Sequence, residues 1–395
     1  MAHRCPWWAA VVAAISGWVA VADASVVLVP SLGGRSTGLV GNDVATPTDG
    51  PGILLTNPAG VVGQAGTRAN ASLLALYVSG HYTNDAIDYD AKSAEIPVAP
   101  TLWMSTDHFA PWYVGMGVYG AVGASFNFPG NPQAGIPNRF FSELTVLQLG
   151  LVAGRELAPG LRFAIQPAPT YGKIRAHYPS PFGPVSIDVE GFGIGGAAGL
   201  LYDWSDRTRL GVSYRSPGIV YFDGEGSVGG ARDDPTLHLH IPQQVFFGLA
   251  HHLTPDLLIA LQARWADNAQ FEKGQFRFPD HPPLDVGPIS AARATFRYGA
   301  AAEYALSDAL WLRGGFSREE WMMEPSALSP LLYDTSDWLF SIGLGARAGH
   351  LDVDFVVGVP LIEDRVVTPD ENPLFPGRYD IGGGIAGVSI TYRLD

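Results

Sequence analysis

Gly34-Arg35-Ser36-Thr37-Gly38 matches G-x-S-x-G, the turn on which many hydrolases mount a nucleophilic serine. That chemistry needs a strand before the serine, a helix after it, and a histidine and an acid brought alongside. No helical pattern follows here, and the motif sits in a Gly-, Pro-, Thr- and Asn-rich stretch over residues 25–67. Gly193-Ile194-Gly195-Gly196-Ala197-Ala198 loosely resembles a dinucleotide loop, but such a loop must open a helix and residues 199–203 continue as strand. His238 and His240 alternate on one strand face and His251-His252 sits at a turn. Zinc would need a third ligand, so rim histidines are the better reading. These patterns point away from an enzyme and call for no cofactor or metal.

The remaining chemistry lies in charges at strand spacing. In Leu351-Asp352-Val353-Asp354-Phe355 the apolar residues share one face and the aspartates the other. Arg209-Leu210-Gly211-Val212-Ser213-Tyr214-Arg215 repeats the pattern, with Arg209 and Arg215 opposite Leu210, Val212 and Tyr214. Arg293, Thr295 and Arg297 oppose Ala294, Phe296, Tyr298 and Ala300. In a membrane barrel a charge facing lipid costs roughly 2–4 kcal/mol at the midplane, so these residues must face a lumen or lie at a rim. There they form structural ion pairs or meet a ligand, and periodicity alone leaves both open.

Fourteen strand-like stretches between residues 68 and 394 position these side chains. The connectors alternate in length. Residues 82–95, 126–139, 223–235, 272–290, 318–335 and 361–380 are long; 156–160, 203–207, 253–256, 306–308 and 348–350 are short. An antiparallel up-and-down barrel with tight periplasmic turns and long outer loops has this rhythm. Composition agrees. The chain is 47% hydrophobic and only 16% charged, below the roughly 25% of soluble domains. After the N-terminus no run of about 20 apolar residues predicts a membrane helix. Trp112, Tyr113, Tyr202, Trp204, Tyr304, Trp311, Trp338 and Tyr392 fall near strand ends, where aromatic girdles sit. A net charge of −14 argues against nucleic acid as a partner.

Residues 1–24 read as a signal peptide: Arg4, an apolar run over residues 5–20, then Ala22-Asp23-Ala24 as the cleavage site. The single cysteine, Cys5, falls in that segment, so no thiol or disulfide chemistry is expected of the mature chain. Residues 25–67 are expected to form a hatch, or plug, in the lumen of a barrel spanning residues 68–395.

Three stretches carry a resemblance to the FadL/TodX (OMPP1) family of outer-membrane transporters for hydrophobic compounds. They are residues 33–60, with Gly41-Asn42-Asp43-Val44-Ala45 leading to Asn57-Pro58-Ala59; Tyr171-Gly172-Lys173-Ile174-Arg175; and 193–202 joined to Leu210-Gly211-Val212-Ser213-Tyr214-Arg215-Ser216-Pro217. The resemblance implies a monomeric, transmembrane, all-β barrel of about 14 strands with an N-terminal hatch closed by Asn57, Pro58 and Ala59. It implies passive uptake of long-chain fatty acids or hydrocarbons across the bacterial outer membrane. Cargo would leave sideways through a kinked third strand, here residues 112–125 with Gly117, Gly120 and Gly123. Membrane lipid and the barrel assembly machinery would be partners, although Tyr392-Arg393-Leu394-Asp395 is not the aromatic ending many such barrels carry. The expected substrate-binding residues are Arg215, then Arg175 and Lys173, with Phe126, Phe128, Phe140 and Phe141 as an outer capture groove. The alternatives are a barrel that does not transport, enzymatic or structural, and an aqueous porin.

Overall fold

A computed structural model describes residues 31–46, 50–285, 291–332, 334 and 336–394; the predicted signal segment lies outside them. Fourteen barrel strands run antiparallel. They are β1 (Thr67–Asn84), β2 (Tyr89–Glu95 and Val98–Thr106), β3 (Tyr113–Phe128), β4 (Phe140–Ala158) and β5 (Leu161–Ser180). Then come β6 (Gly183–Ser205), β7 (Thr208–Arg215 and Gly218–Val228), β8 (Thr236–Ile241 and Gln244–Thr254), β9 (Leu257–Ala266) and β10 (Thr295–Ser307). The last are β11 (Leu310–Glu319), β12 (Asp337–Ala348), β13 (Leu351–Ile362) and β14 (Gly377–Arg393). β14 pairs with β1 from Arg68↔Arg393 to Thr83↔Arg378, so the sheet closes on itself.

Alternation sorts the side chains. Phe192 and Ile194 of β6 are 72% and 65% exposed, and Ile342 and Phe355 are likewise on the outer surface. On the inward parity Ser213, Arg215, Arg264, Arg297 and Arg313 are buried. Trp112, Tyr202, Trp204, Tyr304 and Tyr392 are exposed beside the tight turns, as a girdle requires, whereas Trp338 stacks on Phe340 towards the opposite rim.

The short connectors are where the sequence places them, but three of the outer connections correct the expected rhythm. Residues 82–95 are a hairpin, with β1 and β2 pairing up to Asn84↔Tyr89. Residues 223–228 continue β7, which turns at Gly229 and Gly230. β5 and β6, of 20 and 23 residues, meet in a tight outer turn that the sequence reading lacked. About 9–11 residues span a bilayer, so these strands build a wall above it, and loop-like composition there is strand facing water. Arg293 precedes β10 and lies over the Trp321 ring, 3.6 Å from its centre.

The wall is thin at one seam. β2 and β3 pair only from Leu102↔Val118 to Thr106↔Val114. Beyond that, β3 shifts register between Gly120 and Val122, leaving Ala121 as a bulge, while it stays paired to β4 up to Phe128↔Phe140. β2 breaks at Ile96-Pro97 and carries Pro100, and proline has no N–H to offer a neighbour. Above the break, the Asn127 amide donates to Ser93 Oγ.

Candidate lumen site

The N-terminal segment, over residues 31–46 and 50–66, packs on inward-facing residues of the barrel. It holds a short helix, α1 (Gly33–Gly38), a single turn, α2 (Gly52–Leu55), and a 3-10 turn over Pro58–Val61. The G-x-S-x-G motif therefore lies wholly within a helix, not on the strand-to-helix turn that a nucleophilic serine needs. Burial pushes the nearby Asp43 carboxyl above the ordinary carboxylate range, against the opposing pull of the Ser36 hydroxyl.

Asn57 ties the segment to itself and to the wall. Its Oδ1 accepts from the Ala59 amide at 3.0 Å, while Nδ2 donates to Val44 O at 2.9 Å and to Leu200 O of β6 at 3.0 Å. Pro58 opens the turn and Ala59 is fully buried. The close approach depends on wall glycines. A Cβ at Gly199 would lie 1.9 Å from Asn57 Oδ1, and Cβ atoms at Gly117 and Gly150 would lie 2.6 and 2.5 Å from Leu54 methyls. Gly117 thus receives Leu54 and is paired with Trp103 of β2; Gly120 ends the regular register and Gly123 pairs with Thr145.

Charge fixes the other end of the segment. Arg35 Nε of α1 donates to Glu303 of β10 at 2.9 Å, and Arg313 of β11 bridges Glu303 and Asp354 of β13. Other inward charges are also paired: Arg264 and Arg297 with Glu319, Arg209 with Asp203, and Arg347 with Asp352.

Arg215 is different. It is 7% exposed, and no carboxylate lies within ion-pair distance among the described residues. Nη1 donates to Leu54 O at 2.7 Å and Leu55 O at 3.2 Å; Nη2 donates to Tyr119 Oη at 2.8 Å and Gln148 Oε1 at 2.9 Å. Gln166 ties the knot, donating to Leu54 O at 3.0 Å and Tyr119 Oη at 3.1 Å. A cavity of about 20 Å³ opens beside the guanidinium, bounded by Leu55, Ala121, Gly196, Ile241 and Pro242. A buried cation held only by neutral acceptors retains most of its desolvation penalty, so this position favours an anion.

The other expected binding residues are elsewhere. Lys173 and Arg175 share the outward parity of β5 with Ile165 and Tyr171, since Ile174 and Gly172 take the inward one. They stand at the outer rim, Lys173 3.0 Å from Asp188 and Arg175 paired with Glu143, so neither reaches the lumen. Phe126, Phe128 and Phe140 point inward and are almost wholly buried, in a packed cluster rather than an open groove; Phe140 meets the Phe375 ring edge-on at 5.9 Å. Phe141 takes the opposite parity, with the Arg139 guanidinium 4.9 Å above its ring. Tyr119, Gln148 and Gln166 were missed by the sequence reading. Their signal was a polar residue at an inward position of a lipid-spanning strand. His238 packs on Tyr221 and His251 Nδ1 is 2.9 Å from Thr208 Oγ1; no metal-binding group of three occurs among the described residues.

The profile of the family described as outer membrane protein transport protein (OMPP1/FadL/TodX) matches residues 180–392. A 47 kDa outer membrane protein of Pasteurella multocida is 25% identical over 222 residues, covering 51% of this chain and 50% of that protein. The match therefore spans about half the length of that relative. Among solved structures, a Pseudomonas aeruginosa FadL homologue superposes with a TM-score of 0.82 at 14% identity, covering 94% of this chain and 100% of the other. The Pseudomonas putida toluene transporter TodX gives 0.74 at 16%, covering 93% and 99%, and the Ralstonia pickettii toluene transporter TbuX gives 0.72 at 17%, again covering 93% and 99%.

Proposed function

The chain belongs to the OMPP1/FadL/TodX family of outer membrane transport proteins, and on that premise we propose that it takes up hydrophobic compounds, long-chain fatty acids first among them, as a monomer. It lies in the outer membrane, where the assembly machinery would have inserted it. The N-terminal segment, described over residues 31–46 and 50–66, acts as the hatch that keeps the lumen from leaking. Cargo enters from outside, rests against Arg215 and leaves sideways where β3 bulges at Ala121 and parts from β2.

The observation that carries this reading is Arg215. Its cavity is lined by Leu55, Ala121, Ile241 and Pro242 together with the polar Gln148, Ser216 and Gln244, and Ala121 is the bulge residue itself, so a cation and the seam share one space. An apolar chain with a carboxylate head matches both features. A neutral hydrocarbon is the second reading, supported by the apolar part of that lining and by structural neighbours described as toluene transporters. An enzymatic role finds no support in the Ser36 environment.

The test is uptake by cells whose own outer-membrane route for fatty acids has been removed. Producing this chain should restore uptake of labelled oleate, whereas a small sugar should enter no faster than in control cells. Entry of neither oleate nor toluene above the control would overturn the proposal.

A further inference from the structure

In the structure Arg215 already has a ligand, and it belongs to the chain itself. Leu54 and Leu55 close α2, so their carbonyls have no partner within that turn and form its electronegative end. Both point at the Arg215 guanidinium, at 2.7 and 3.2 Å. The space left is about 20 Å³, room for one water, whereas pockets for lipid-sized ligands run to about 300 Å³ or more. Anionic cargo and α2 therefore cannot occupy the site together. Leu55 lines the cavity, so the turn that holds the cation is also the wall that must move.

We propose that the carbonyls of Leu54 and Leu55 stand in for the cargo carboxylate, and that an anionic head group frees α2 by taking over its hydrogen bonds from Arg215. The inference rests on the cargo reading above and adds what selects for hatch release. Leu54 O also accepts from Gln166, and both Arg215 and Gln166 donate to Tyr119, two residues before the bulge at Ala121. Loss of the carbonyls thus alters the hydrogen bonding of the strand that borders the seam. A neutral chain of the same length has no acceptor strong enough to displace two carbonyls from a guanidinium, so wherever else in the barrel it binds, it leaves the turn in place.

Hydrogen exchange in residues 50–62 of the purified full-length barrel, in a nonionic maltoside, tests this. Oleate and oleyl alcohol are added at matched occupancy, established by binding. Oleate should speed exchange in this segment roughly tenfold or more, and oleyl alcohol should leave it unchanged. Arg215→Gln should exchange faster without cargo, and oleate should add nothing. Equal acceleration by both ligands, or none by bound oleate, would overturn the proposal. If neither ligand binds, the cargo reading itself falls and this inference falls with it. Should Arg215→Gln fail to assemble, the comparison of acid with alcohol on the unaltered chain remains decisive.

Discussion

Asn57 of the N-terminal segment and Gly199 of β6 are fitted to one another: a Cβ on Gly199 would lie 1.9 Å from Asn57 Oδ1, an atom already engaged with the Ala59 amide. Asn57 cannot swing aside without giving up three hydrogen bonds, each worth about 0.5–1.5 kcal/mol. Gly199→Val should therefore unseat the segment while leaving the β6 ladder intact. Single-channel recordings in planar bilayers should show higher conductance than the parent. Parent-like conductance would mean that the segment is held without Asn57.

Glu303 gathers two arginines, Arg35 from the segment and Arg313 from β11. Glu303→Ala removes the shared carboxylate and leaves buried positive charge, a loss of about 3–5 kcal/mol when one partner of a buried pair is deleted. The temperature at which the folded barrel loses its fast migration on gels should drop. An unchanged transition would place the pair among interactions of no net worth.

Removing residues 31–66 should raise non-specific conductance, because a lumen of fourteen strands is wide enough to need filling. Conductance equal to the parent's would place the segment's role outside the seal.

The outer loops are tied together around a buried carboxyl, Asp334. Asp334 accepts from the Met322 and Met323 amides, and Arg365 donates to Met323 O at 2.8 Å and Asp334 O at 3.1 Å. Burial pushes the Asp334 carboxyl up to about 7, beyond the counterpull of those amides. A carboxyl raised in the closed loop binds more protons there than in the open one. Loop closure is thus strongest at acid pH, weakens as pH rises from about 4 to 7, and levels off above. Hydrogen exchange over residues 320–336, corrected for intrinsic rates, should quicken across that window, and Asp334→Asn should flatten the profile. A flat profile in the parent would contradict the tie.

Much of the barrel was legible because alternation and turn spacing are local. Leu351 to Phe355, or Arg209 to Arg215, show their inward and outward faces from a handful of residues. The outer walls were not legible: residues 82–95 and 223–228 are strand whose outward side meets water rather than lipid, so no apolar outer face is imposed and composition resembles loop, although Tyr82, Tyr89, Ala91 and Val228 are buried on the inward side. Lys173 and Arg175, ranked below Arg215 on sequence, stand at the rim for a related reason. Their motif context was informative, but a one-residue shift in parity exchanges lumen for rim, and only Ile174 and Gly172 facing inward decides it. Tyr119, Gln148 and Gln166 come together from three strands, a meeting that no local pattern announces.

The most direct test is to measure binding of a long-chain fatty acid and of a hydrocarbon of similar length to the parent and to Arg215→Ala. A charged hydrogen bond is worth about 1.5–3 kcal/mol, so the variant should bind the acid roughly ten- to a hundredfold more weakly and the hydrocarbon about as well as the parent. Equal losses for both ligands would make Arg215 a structural residue, and no loss for either would remove it from the site.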